Sequence, residues 1–293
     1  MSKINRTFVL ALLILITSSG FGQIAFVTTW KGQELKGQVK SIKATTYFAN
    51  EKFDEVIKGD LLSWKLWRFD AKGESTEYTK FGDFYEETVK FENKYDSQNR
   101  LTEKDCFNSN GDLAWKRVNK YDNEKITQTI YYNEDGILSE KYLYKYDDNT
   151  KKCETWQYDG NGDLIYKWVH DKNGNLLEEY DYFSTGDVSK KTEYEYDNSG
   201  TLNRTLIYEL LYSLYGSEKF EEEYLYNDKA DIIVLKSYDY SYDDDYNPVT
   251  TQKIEYTYKY KYDNKGNWIE KILFKSEAEI AIAIEEREIE YYK

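Results

Sequence analysis

The sequence predicts an all-β protein, an antiparallel meander of repeat hairpins coiled into a spiral or open barrel-like sheet with an aromatic interior. Three observations predict it. One short phrase recurs along most of the chain. Each copy is followed by about eight residues of alternating pattern, which is strand length. The sheet these strands would make is too long to stay flat, because open sheets beyond about ten strands curl, split or close.

The phrase reads aromatic, Asp or Asn, two polar residues, Gly, polar, apolar. It starts at Phe69, Phe107, Tyr132, Tyr158, His170, Tyr182, Tyr196 and Tyr262, with looser copies at Tyr95, Tyr121, Tyr146 and Tyr226. Eleven of the twelve have Asp or Asn in the second slot and eight have Gly in the fifth. From Tyr95 to Tyr196 the starts lie 11 to 14 residues apart, the mark of a repeat architecture. Asp or Asn caps the turn by accepting amides just ahead, and Gly supplies the left-handed residue of a type I turn with a bulge. Read by parity, Leu164, Tyr166, Trp168 and His170 fall together, as do Leu138, Tyr142, Tyr144 and Tyr146, Leu113 with Trp115 and Tyr121, and Trp156 with Tyr158. This predicts one aromatic face and one face of Lys, Glu and Thr, with the rings turned inward.

The elements follow in order. Residues 1–22 read as a signal peptide: Lys3 and Arg6, then Phe8 to Ile16, then the small residues Gly20 and Gly22. The apolar run is shorter than the roughly 20 residues a membrane helix needs. Its removal would take the net charge from −14 to −16, and no Cys stands at the cleavage point, so the expected location is secreted or periplasmic without a lipid anchor. Residues 23–68 read as an N-terminal β cap, since terminal repeats must be atypical. Residues 69–293 form the repeat domain, with longer, protruding hairpins near 205–226 and 235–262.

Copies such as Tyr196-Asp-Asn-Ser-Gly-Thr-Leu202 and Tyr262-Asp-Asn-Lys-Gly-Asn-Trp268 resemble the YD repeat, the tyrosine-aspartate repeat of Rhs-type bacterial proteins. The resemblance covers roughly residues 69–275, and Leu35-Lys-Gly-Gln-Val-Lys-Ser-Ile42 is similar to the opening of small exported YD-repeat proteins. In large relatives such repeats form hairpins that spiral into a shell around a toxin. The resemblance implies fold and export more than activity.

Composition excludes several classes. A pI near 4.8 gives no basis for gripping phosphates, so no nucleic acid is expected as a partner. Mean hydropathy of −0.84 excludes a polytopic membrane protein, and 17% aromatics is too many for a disordered chain. Lys and Glu on the second face argue against an outer-membrane barrel, so no membrane span is expected after signal removal. One His and two Cys leave little for His catalysis or zinc. His170 occupies an aromatic slot of the repeat and reads as a core substitute. Cys106 and Cys153 would sit about four strands apart, roughly 19 Å, beyond disulfide reach. Asp159-Gly-Asn-Gly-Asp163 imitates a calcium loop, but Leu164 and His170 stand where Gly and Glu would be needed. Asp239, Asp243, Asp244 and Asp245 read as a solvated hairpin tip. No catalytic residue, metal site or cofactor is expected.

The expected function is an exported, non-catalytic binding or scaffold module for a glycan or a cell-envelope protein. Rings stack on sugar faces, and Asp, Asn and Glu accept hydroxyl hydrogen bonds. Its expected ligand-binding residues are the tyrosines of the longer hairpins: Tyr208, Tyr212, Tyr215, Tyr238, Tyr240, Tyr242 and Tyr246. One alternative is an assembly module that offers a free strand edge. The other is a glycan hydrolase built on two carboxylates.

Overall fold

A computed structural model describes residues 35–293 except 53–54, 83–84, 199, 210–217, 230, 243–247 and 276–279, and within the strands leaves undescribed the side chains of 203, 208–209, 218–221, 239–242 and 248–253. The signal-peptide reading therefore lies outside the described residues. Every element is a strand: β1 (Val39–Lys52), β2 (Glu55–Phe69), β3 (Ser75–Gly82), β4 (Tyr85–Tyr95), β5 (Leu101–Phe107), β6 (Leu113–Asp122), β7 (Lys125–Asn133), β8 (Leu138–Asp147) and β9 (Lys152–Asp159). Then follow β10 (Leu164–His170), β11 (Leu176–Tyr182), β12 (Val188–Tyr196), β13 (Leu202–Glu209), β14 (Glu218–Tyr226), β15 (Ile232–Tyr242), β16 (Pro248–Tyr262), β17 (Trp268–Lys275) and β18 (Ile280–Tyr291).

All belong to one 18-stranded sheet. Every register resolved between sequence neighbours is antiparallel, as a meander requires. The expected open coil is corrected at its ends. β1 pairs with β18 over Val39↔Tyr291 to Phe48↔Ala283 as well as with β2, so the first and last strands satisfy each other and the ladder closes. A free end strand, on which assembly by strand addition depended, is not present at β1 or β18. Closure removes exposed backbone donors and acceptors that would otherwise template aggregation.

The chain divides into two compact units. One comprises residues up to Glu86 with Tyr260–Phe274 and Ile280–Lys293; the other comprises Glu87–Lys259 and Lys275–Glu279. In the first, Leu35, Val39, Ile42 and Phe69 form a buried cluster backed by Trp67, Ile289 and Tyr291. In the second, the strands are tied by cross-strand side-chain rows.

The turns are built as the phrase dictates. At Asp159 the carboxylate accepts the amides of Asn161 and Asp163, each at 2.9 Å, and Gly162 at φ 94° donates to the Asp159 carbonyl. The same pattern holds at Asp70, Asn108, Asn133, Asp171 and Asp263. These amides hold the Asp159 carboxyl below its ordinary range.

The turn also inserts one residue, and this overturns the single aromatic face. Tyr158 stands opposite Leu164, but its neighbour Gln157 stands opposite Tyr166. Directly opposite residues share a face, so the bulge moves Leu164 to the face away from Tyr166. Leu138 is likewise separated from Tyr142, and Leu113 from Trp115. Rings consequently line both faces. Phe91, Trp115, Tyr131, Tyr142 and Trp168 run along one, with successive centroids 5.7–6.3 Å apart. Trp156 and Tyr180 lie on the other, interleaved with Lys145, Lys167 and Lys191 at 4.1–5.6 Å. An extra residue between paired strands reverses in or out for everything beyond it.

The expected longer hairpins are the pairs β13–β14 and β15–β16, whose strands are members of the sheet; their tips, 210–217 and 243–247, lie outside the described residues.

Candidate ligand-binding site

Among the described residues, three non-glycine residues have left-handed backbones: Asn99 at φ 60°, Asn123 at φ 52° and Lys151 at φ 57°. They belong to the looser copies at Tyr95, Tyr121 and Tyr146, and to the turns β4–β5, β6–β7 and β8–β9. These are consecutive turns at one end of the strands, since an antiparallel meander places alternate turns together. An L side chain in this conformation costs on the order of 1–2 kcal/mol, less for Asn. Strain collected in adjacent turns marks a place to look for function.

An open depression of about 740 Å³ lies there. Gln98 lines it from the first turn, Asp122, Asn123, Glu124, Lys125 and Thr127 from the second, and Tyr146 from the third. Tyr146 is 40% exposed, which is unusual among the aromatic rings of the sheet. Its hydroxyl meets the Cys153 thiol, and burial of that end pushes the phenol up to about 12, with Cys153 and Tyr144 adding to the effect. The hydroxyl therefore stays protonated at physiological pH while the ring remains accessible.

The turns are braced against one another. Asp96 accepts the amides of Gln98 at 2.9 Å and Arg100 at 3.0 Å, and the Arg100 Nε at 2.7 Å, which together hold its carboxyl low. Arg100 also donates to the Asn123 carbonyl and lies 4.6 Å from the Tyr121 ring centroid. Lys125 reaches Asp148 at 3.5 Å and sits 4.9 Å from the Tyr146 ring centroid. Beneath them, the Tyr121 hydroxyl and the Asn119 amide both donate to the Leu101 carbonyl, at 2.9 and 2.8 Å. Thr129 donates to Asn119 at 3.0 Å and lies 3.3 Å from the Tyr144 hydroxyl. This satisfied polar layer fixes the rim from below.

The sequence-predicted residues fare differently. Tyr238 is half-buried, in β15 rather than at a tip, and its hydroxyl donates to Glu223 at 3.1 Å. It is a tied strand residue. The side chains of Tyr208, Tyr212, Tyr215, Tyr240, Tyr242 and Tyr246 lie outside the described ones. The depression's residues were missed, although the signal was present: three loose copies on alternate turns, each lacking the fifth-slot Gly. His170 is half-buried opposite Cys153, and burial depresses its imidazole. Cys106 and Cys153 are both free thiols. Among the described residues no group of His, Cys, Asp and Glu could hold a metal ion.

No protein-family profile matches this chain, and no curated protein sequence matches it. Solved structures do. A porin-like protein from Bacteroides uniformis is 11% identical with a TM-score of 0.42, covering 87% of this chain and 99% of that one. A porin-like protein from Bacteroides vulgatus is 9% identical with a TM-score of 0.32 over the same shares. A TcdB2-TccC3 structure, 9% identical with a TM-score of 0.24, covers 75% of this chain and 16% of that one. All three scores fall below 0.5, and the functional argument stands on the site instead.

Proposed function

We propose that this chain is an exported, non-catalytic repeat protein of YD-repeat kind whose β4–β9 turns bind a glycan or another polyhydroxylated envelope ligand. The observation that carries it is the depression itself. An accessible ring, Tyr146, stands beside the carboxylates Asp122 and Glu124, the amides Gln98 and Asn123, the Thr127 hydroxyl and the Lys125 ammonium. A ring face that stacks on apolar sugar C–H groups, ringed by polar side chains, is the usual build of a small polar-ligand site. Export is supported by the 1–22 segment, with its basic start, short apolar run and small-residue exit.

The test is calorimetric titration of the purified chain with a panel of soluble envelope glycans. Saturable heat is expected for at least one, weakened by about tenfold or more in Tyr146→Ala and nearly kept in Tyr146→Phe, on the scale of one good stacking contact. Tyr146→Ala must melt as a folded protein for the comparison to stand. An absence of binding across the panel, or binding indifferent to Tyr146→Ala, defeats the proposal.

A further inference from the structure

The pairing of β1 with β18 is made without a turn. In every other register resolved in the sheet the two strands follow one another in the chain, so a covalent turn holds them together. β1 and β18 are the first and last strands, and the entropy of bringing two segments together grows with the chain between them. Their ladder also carries an irregularity near one end, between Val39 and Ser41. Parting there would uncover two strand edges at once, the surface that strand addition uses.

At that end the turn between β16 and β17 reaches across. Asn267 is 4% exposed, and its side chain bonds the Lys36 backbone as a neighbouring strand would: Oδ1 accepts the Lys36 amide at 2.7 Å, and Nδ2 donates to the Lys36 carbonyl at 2.9 Å. The same Nδ2 donates to the Tyr291 hydroxyl at 2.6 Å, and that hydroxyl donates to the Asp263 carboxylate. Lys36 Nζ reaches the Gly266 carbonyl at 3.3 Å, and Lys265 Nζ lies 4.3 Å from the Tyr291 ring centroid. Gly37 permits this approach, since a Cβ there would stand 3.2 Å from Lys265 and 3.4 Å from the Tyr291 ring. Next to it, the Tyr292 amide donates to the Gln38 carbonyl at 2.9 Å and the Tyr292 hydroxyl to the Phe69 carbonyl at 2.5 Å. One turn thus holds the entry to β1 and the exit of β18 together. Its own loop does not need the Asn267 side chain, because the backbone amides of Lys265 and Asn267 close it on Asp263, each at 2.9 Å. Asn175, in the same slot of the β10–β11 turn, turns its side chain back to its own Asp171 instead.

We propose that the Asp263–Asn267 turn is a latch on the β1–β18 seam, a non-covalent substitute for the turn this pair lacks, and that the sheet opens at this seam when the latch is cut. The test is native-state hydrogen exchange of the full chain, which reports local opening strand by strand. Asn267→Ala keeps the backbone bonds of its own turn and removes three bonds to Lys36 and Tyr291. The amides that β1 and β18 donate to each other should then exchange about tenfold faster or more, the scale of several lost hydrogen bonds at a buried group. Amides of β6 to β9 should keep their rates. Tyr291→Phe, a milder cut, should give a smaller rise in the same seam amides, and it carries the test if Asn267→Ala does not hold its fold. Asn175→Ala, the same change at a turn with no seam to hold, should leave the seam amides as they are. Unchanged seam exchange in both Asn267→Ala and Tyr291→Phe, a rise shared equally by β6 to β9, or an equal rise in Asn175→Ala overturns the proposal.

Discussion

Replacing Gly174 with alanine isolates what the fifth slot of the repeat is for. Gly174 sits at φ 88°, and a Cβ built there meets nothing within 4 Å. Any cost is therefore conformational, with no steric part. Placing an L residue in the left-handed region costs about 1–2 kcal/mol. Alanine returns about 0.4–1 kcal/mol by restricting the unfolded chain, so Gly174→Ala should destabilise by about 1 kcal/mol. Gly174→Asn should cost less than half of that, because Asn tolerates the conformation, as Asn99 does in the same slot. Lys151→Gly reverses the sign. It relieves a lysine held at φ 57° at the entropic cost of a glycine, for a net gain of about 0.5–1 kcal/mol. Equilibrium urea unfolding measures all three, as shifts in midpoint at constant slope. If Gly174→Ala were neutral, or Lys151→Gly destabilising, the turn geometry would not be what selects the residue, and the reading of Asn99, Asn123 and Lys151 as strained would fall with it.

Two further predictions concern ionisation. Amides of the turn hold the Asp159 carboxyl below its ordinary value, so its stabilising share is present above the unfolded value of about 3.9 and lost as pH falls through the lower folded value; the stability gap between wild type and Asp159→Asn, followed by denaturant unfolding at stepped pH, should be constant near neutrality and close below pH 4, and a gap that widened there would contradict it. Burial pushes the Cys106 thiol up to about 12 and raises Cys153 as well, and the two are unbonded, so native protein at pH 8 should resist iodoacetamide, Cys106 most of all, until denaturant is added; a mass shift on reduction alone would show a disulfide and refute the placement.

The repeat phrase was enough to read the strands, their order and their turns, because Asp-x-x-Gly specifies a loop locally, with both side-chain bonds and the left-handed residue inside five positions. Face assignment was not readable by counting parity, because the phrase also inserts a residue. Leu164 and Tyr166 share parity but not a face, since Tyr158 and Gln157 take the partners on either side of the bulge. Closure was illegible for a different reason. The β1–β18 pairing joins Ile42 to Ile289 across nearly the whole chain, and no local signal specifies so distant a partner. The candidate site fell between these cases. Tyr146 looks like every other first-slot aromatic, and only its position beside two other irregular turns distinguishes it.

That irregularity bears on why a repeat protein would bind anything at its turns. A regular copy consumes its own polar groups: Asp171 accepts the amides of Asn173 and Asn175 and a bond from the Asn175 side chain, and Gly174 presents no side chain at all. Where Gly is replaced, side chains that the regular turn would lack are carried at its tip: Asn99 takes the glycine's place in a β4–β5 turn that keeps the regular bonds from Asp96, whereas the β6–β7 turn is shortened. The β6–β7 turn shows this most clearly. Asp122 pairs directly with Lys125, two residues rather than five separate the strands, and Asn123 and Glu124 stand in the loop. Arg100 then holds this shortened turn through the Asn123 carbonyl, and Lys125 holds the next through Asp148. Replacing a self-satisfied turn by one braced from its neighbours leaves a gap between them, lined by side chains whose hydrogen-bonding groups face solvent. That gap is where carboxylates, amides and an accessible ring come together.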